Sequence, residues 1–249
     1  MRPARTLSLI LVLLLAGLLV AYDYSRSGEV VMPFRPGTPQ AAADAGQLAW
    51  SGAGTMSYAA VDGPVAGQGG PLLRYRVGVE DGLGLSLDEF ATAVEAVLSD
   101  PRSWTADGSV RLQRVATDVA VDSPLGGTGR GPGYDFTIYL ASPVLSERIC
   151  LEGGLHTEQF TSCRPSDGRV VINSARWLTA IQDYGAPLAE YRAYVINHEV
   201  GHQLGFQHEL CPGVGEPAPV MQQQTYGLQG CVAYGWPFRD GQRYAGPLV

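Results

Sequence analysis

Lysine is absent. All 17 basic residues of the 249-residue chain are arginine, set against 24 acidic ones. They form no basic cluster and do not alternate with aromatic residues. With a formal net charge of −7 this argues against a phosphate-backbone partner, and no nucleic acid is expected. Charge of either sign is sparse, at 16% of residues. Cysteine is limited to 4 residues, none in a C-x-x-C pair, which argues against a cysteine-built metal site. The Gly-rich stretch from Ser123 to Gly133 holds G-x-G pieces with no helix after them, so it is a poor phosphate cradle. No internal repeat is present. Histidine is scarce too, at 4 residues, and three of the four lie between positions 198 and 208.

That stretch reads H-E-x-x-H-x-x-G-x-x-H, from His198 to His208. On a helix, positions i and i+4 lie on one face a turn apart, so His198 and His202 can aim at one point. A zinc ion accepts two imidazoles from that arrangement. Glu199, beside the first ligand, can reach a water at the metal without binding the metal itself. Gly205 permits a positive φ, letting the chain leave the helix and swing His208 back as a third ligand. Three protein ligands leave a fourth position open, the pattern of a catalytic zinc site. Ile196, Val200 and Leu204 recur every four residues as an apolar stripe turned away from the ligands. One side of this helix is therefore expected to pack on a sheet while the other lines a cleft.

The rest of the chain supplies context. Arg2 and Arg5 precede an apolar run from Leu7 to Ala21, so residues 1–22 read as a signal peptide or an N-terminal membrane anchor. Leu19 stands two positions before Ala21, which spoils a small-x-small cleavage site and keeps an uncleaved anchor open. Either reading puts the remainder outside the cytoplasm, secreted or anchored at the membrane. Four cysteines in an exported chain fit two disulfides. Of the three possible pairings, Cys150–Cys163 and Cys211–Cys231 are favoured, because each brackets a short loop-like segment.

Residues 23–71 are rich in Gly, Ala, Pro and Ser with little periodicity and read as a linker. Leu72 to Val79 alternates as a strand. Ser86 and Glu89 make a capping box for a helix to Leu98. Strands are expected at Val110 to Ala116 and Asp135 to Ala141. Shorter strands are expected at Arg148 to Leu151 and Val170 to Asn173, flanking a disulfide-closed excursion. A short helix is expected at Trp177 to Gln182, and the ligand-bearing helix at Tyr191 to Leu204. The order predicts an α+β fold, with a mixed twisted sheet packed on a backing helix and an active-site helix.

The residues His198, Glu199, His202, Gly205 and His208 resemble the metzincin group of zinc peptidases. The resemblance implies a Met-turn beneath the metal, for which Met221 in Pro219-Val220-Met221-Gln222 is the match. It also implies an upper subdomain (residues 72–205) and a small irregular lower one (206–249). The run Gly205 to Glu209 is similar to the astacin subgroup, where the acidic residue after the third histidine pairs with a buried mature N-terminus. That makes Glu209 a candidate carboxylate behind the ligands. Astacins carry a Tyr two residues after the Met; here Gln223 stands there, and Tyr226 is the nearest tyrosine for assisting an oxyanion. A disulfide spanning the Met-turn looks like small secreted bacterial metzincins. From about Leu72 to Pro237 the chain most resembles an actinobacterial family of exported metzincin-like domains of unassigned function.

The resemblance implies a Zn²⁺-dependent endopeptidase acting on a peptide or protein substrate, with Glu199 as general base. Two other readings stand beside it: a non-catalytic zinc-stabilised extracellular binding domain, and a hydrolase of a cell-wall amide crosslink. His156, the fourth histidine, is the side chain that could close the fourth position in the binding-domain reading.

Overall fold

The alternation Leu73, Tyr75, Val77, Val79 builds the central strand of the domain. The computed structural model describes residues 48–116 and 123–249; the predicted N-terminal signal or anchor and most of the predicted linker lie outside them. The elements run β1 (Met56–Tyr58), β2 (Val65–Ala66), β3 (Leu72–Glu80), α1 (Leu87–Ser99), β4 (Arg111–Arg114) and β5 (Phe136–Ala141). They continue with α2 (Pro143–Glu152), β6 (Arg169–Asn173), α3 (Ser174–Thr179), α4 (Leu188–Gln203), a 3₁₀ turn (Gln224–Tyr226), β7 (Phe238–Arg239) and β8 (Gln242–Arg243). The architecture is α+β with a mixed sheet, as expected. Its strand order is β2-β4-β3-β5-β6, with β1 also on β3. Strands β3 to β6 are mutually parallel, while β1 and β2 add antiparallel edges.

Strand parity divides the core. Val77, Val79, Ile138, Leu140, Val170 and Ile172 face one way, and α1, α3 and α4 pack on them. Tyr139, Ala141 and Val171 face the other way, where Leu145 and Ile149 of α2 cover them. The sheet is thus covered on both faces, with α2 a helix that the sequence reading did not anticipate. Helix α1 begins as its capping box requires, with Ser86 Oγ accepting from Glu89 N at 3.2 Å.

Two expectations need correction. Arg148 to Leu151 is not a strand but the last turns of α2. The signal was upstream: Ser142 caps the helix by accepting from Leu145 N at 3.2 Å, and Pro143 occupies its first turn. The predicted linker also ends early, because β1 and β2 lie in the sheet. They are short and lack periodicity, so neighbours rather than pattern hold them. The buried Glu80 carboxylate accepts from Gly52 N and Gly54 N, both at 3.1 Å, and from Ser142 N at 2.7 Å. The predicted helix at Trp177 to Gln182 begins three residues earlier in the structure, where Asn173 Oδ1 accepts from Ala175 N at 2.9 Å.

Both favoured disulfides form, Cys150–Cys163 and Cys211–Cys231. They fit an extracytoplasmic location. Among the described residues no helix is long and apolar enough to cross a membrane.

Helix α4 runs through the centre and is buried from Ala193 to Gly201. Asn197 on this helix is fully buried and ties three parts of the chain together. Its Oδ1 accepts from Ser103 Oγ at 2.8 Å, its Nδ2 donates to Gly235 O at 2.9 Å, and its carbonyl accepts from Trp104 Nε1 at 2.8 Å. Replacing it by an apolar residue of similar size leaves Ser103 and Gly235 without their buried partner. Asn197→Leu is therefore expected to lower stability by about 2 kcal/mol or more, read as a reduced midpoint in urea unfolding monitored by circular dichroism.

Candidate metal centre

The ligand-bearing helix ends as the glycine demands. Gly205 adopts φ 98°, with open space where a Cβ would stand, so conformation rather than crowding requires glycine there. Phe206 N donates to Gly201 O at 3.0 Å and Gly205 N to His202 O at 3.1 Å, a Schellman closure. Three residues later His208 has come back to the helix. The three imidazoles offer ligand nitrogens all within 4.8 Å of one another, and His202 Nε2 stands 3.0 Å from His208 Nε2.

The donor set fits a metal ion. His198 Nδ1 lies 2.8 Å from Val220 O, and His202 Nδ1 lies 2.9 Å from Phe206 O. A carbonyl can only accept, so each Nδ1 carries the proton and donates it, and each Nε2 presents a bare lone pair. With its own Nδ1 carrying the proton, His202 Nε2 can accept from His208 Nε2–H at 3.0 Å, and in the other His208 tautomer the two nitrogens can face one cation. Zn–N bonds of about 2.1 Å in tetrahedral geometry would put ligand nitrogens roughly 3.4 Å apart, within the 4.8 Å limit that the three nitrogens keep here. Burial, reinforced by His202, pushes His198 down to about 3. Burial also holds His202 and His208 below the ordinary imidazole value. All three are therefore neutral and able to ligate at neutral pH.

Glu199 lines the same cleft, which has a volume of about 320 Å³. Its carboxylate is 5% exposed and accepts no hydrogen bond from a described residue. Burial pushes it up to about 8, with Arg164 pulling the other way. Burial thus raises its affinity for a proton above that of an ordinary carboxylate, toward the range in which a side chain can both take up and release a proton near neutral pH.

Met221 is fully buried against Gly201 of α4, in a turn in which Gln222 N donates to Pro219 O at 2.9 Å. Its carbonyl accepts from Glu209 N at 3.0 Å, joining the turn to the loop that carries His208. Among the described residues Glu209 pairs with Arg243 and with a backbone amide. Its Oε1 accepts from Arg243 Nη2 at 2.9 Å and its Oε2 from Gly246 N at 3.3 Å. Arg243 also sits 5.1 Å over the ring of Trp104, which stacks on Phe206 at 4.4 Å. The backbone beside His208 is clamped from the same side, with Leu210 N donating to Pro247 O at 2.7 Å.

The structure separates the other candidates. Tyr226 lines the cleft but is 63% exposed, its ring 6.2 Å from Phe160 at the rim. Gln223 lines the cleft as well. His156 lines it but stands outside the three-histidine cluster. Sequence reasoning missed Tyr194, whose ring packs 5.3 Å from that of His198 and whose hydroxyl accepts from Thr225 N at 3.4 Å. Its position four residues before His198 was the available signal. It also missed Arg164, which borders the cleft and donates from Nε to Gln203 Oε1 at 2.9 Å. No local pattern marks that residue.

Residues 42–235 match the family described as "Protein of unknown function (DUF3152)", and the chain belongs to that family. Comparison with curated proteins and with solved structures gave no match.

Gly201 lies between the two helical ligands, and a Cβ there would meet Met221 Sδ at 2.4 Å and Trp104 Cζ2 at 2.7 Å. Gly→Ala inside a helix ordinarily gains up to about 1 kcal/mol. Here both obstacles are buried, and overpacking costs about 1–3 kcal/mol. Gly201→Ala is expected to lower the melting temperature and weaken metal retention, checked by calorimetry with metal analysis; a raised melting temperature would show that the packing is looser than described.

Proposed function

We propose that this protein is a zinc-dependent endopeptidase of metzincin type, acting outside the cytoplasm either as a secreted protein or on an N-terminal anchor. The observation that carries the reading is the joint placement of three neutral imidazoles and an unpartnered carboxylate on one cleft. His198, His202 and His208 would hold the ion. Bound zinc supplies Lewis acidity and lowers the pKa of a coordinated water to about 7.

Glu199 acts as the proton carrier. It takes a proton from the attacking water and returns it to the leaving nitrogen of the scissile bond. The carbonyls of Val220 and Phe206 hold two of the imidazoles in the tautomer that leaves Nε2 free. The cleft's upper rim suits an extended peptide. Cys163 pairs with Val171 of β6 as an antiparallel bridge, its N–H and C=O both engaged. In such a bridge the adjoining residues turn their backbone groups outward. Those of Ser162 and Arg164 have no backbone partner among the described residues. An extended substrate would add there as a further strand.

A purely structural metal site has no use for a buried acid beside its ligands, and His156 does not join the cluster to close it. Glu199→Gln is expected to keep one zinc per chain while hydrolysis of a peptide library falls by several orders of magnitude. His202→Ala is expected to lose stoichiometric zinc. Metal analysis beside a chelator-controlled digest reads both, and undiminished cleavage by Glu199→Gln would remove the general-base assignment.

A further inference from the structure

The cleft lining contains one arginine, Arg164, and a single acidic residue, Glu199. The arginine, Arg164, is held in place from three directions. Its neighbour Cys163 is bonded to Cys150 of α2 and bridged to β6. Its own Nε is spent on Gln203, the residue after the second ligand. Both terminal nitrogens lack a hydrogen-bond acceptor among the described residues. Arg130 lies near enough to add positive charge, while Asp167, the nearby acid, is engaged by Arg169 at 2.9 Å through Nε.

A guanidinium with one edge tied down and the other open is arranged to receive a planar anion with two oxygens. We infer that Arg164 is a specificity-determining residue that selects a carboxylate on the substrate, with Gln203 as the positioning residue that aims it. The inference rests on the peptidase reading of the same cleft. The open groups of Arg164 and the outward backbone of its segment belong to one edge, so a peptide added there presents a side chain or its own C-terminus within reach. Two sources of the carboxylate share this chemistry: an Asp or Glu side chain next to the scissile bond, and the terminal carboxylate of a peptide.

The test uses the full-length, zinc-loaded Glu199→Gln protein, so that binding is read without turnover. The probes are fluorescein-labelled alanine-based octapeptides carrying Asp or Asn at one internal position, each with a free or an amidated C-terminus. Fluorescence anisotropy is expected to show binding of one acidic form at least about tenfold tighter than its neutral counterpart. A gain from internal Asp assigns the side chain, and a gain from the free C-terminus assigns the terminal carboxylate. Adding Arg164→Gln should abolish the gain with zinc content unchanged, and Gln203→Leu should reduce it in part. Equal binding of acidic and neutral probes, or a preference that survives Arg164→Gln, overturns the inference. Cleavage of the same probes by the wild-type protein is read separately: carboxylate preference without any cleavage overturns the peptidase reading and leaves the carboxylate site standing.

Discussion

Two hydrogen bonds govern the candidate metal centre: His198 Nδ1–H to the Val220 carbonyl and His202 Nδ1–H to the Phe206 carbonyl. Each spends the proton of one ring nitrogen on a backbone acceptor and frees the other nitrogen to ligate. The two acceptors come from different structures. Phe206 belongs to the helix exit, four residues beyond its partner. Val220 belongs to the turn that carries Met221, and so the site exists only when the lower segment is folded beneath the helix. The orientation of both imidazoles therefore depends on where residues 206–249 sit.

The lower segment has little regular structure, and its order comes from a few long-range ties. The Cys211–Cys231 disulfide closes the loop that contains the Met221 turn. The hydroxyls of Tyr184, Tyr191 and Tyr194 reach Gln224, Thr225 Oγ1 and Thr225 N at 2.8, 2.9 and 3.4 Å, seating the 3₁₀ turn against α4. Arg243 closes the other side by pairing with Glu209 directly after the third ligand. Glu209 is nearly buried, and its burial would hold its carboxyl protonated more strongly if the guanidinium were not there to oppose it.

Much of the fold was legible because the relevant signals are local. Ser86 and Glu89 announce α1, and strict alternation announces β3 and β5. The misreadings were of two kinds. Helix α2 was marked by Ser142-Pro143, but its four-residue spacing of Leu145 and Ile149 was too short to outweigh the apolar run that followed. Strands β1 and β2 had no pattern to read; a three-residue strand among glycines is a strand only because β3 lies beside it and Glu80 gathers its amides.

The sequence by itself determined which three imidazoles would meet at the candidate site. The offsets from His198 to His202 and from Gly205 to His208 are set by helical periodicity and by the one residue that leaves a helix at positive φ, and both act over a single turn. Tertiary structure alone decided what surrounds those imidazoles: which segment borders β6, that Arg164 opens onto the cleft, and that Arg243 meets Glu209. Those contacts join residues tens of positions apart, and their energies come from burial and pairing that no local pattern records.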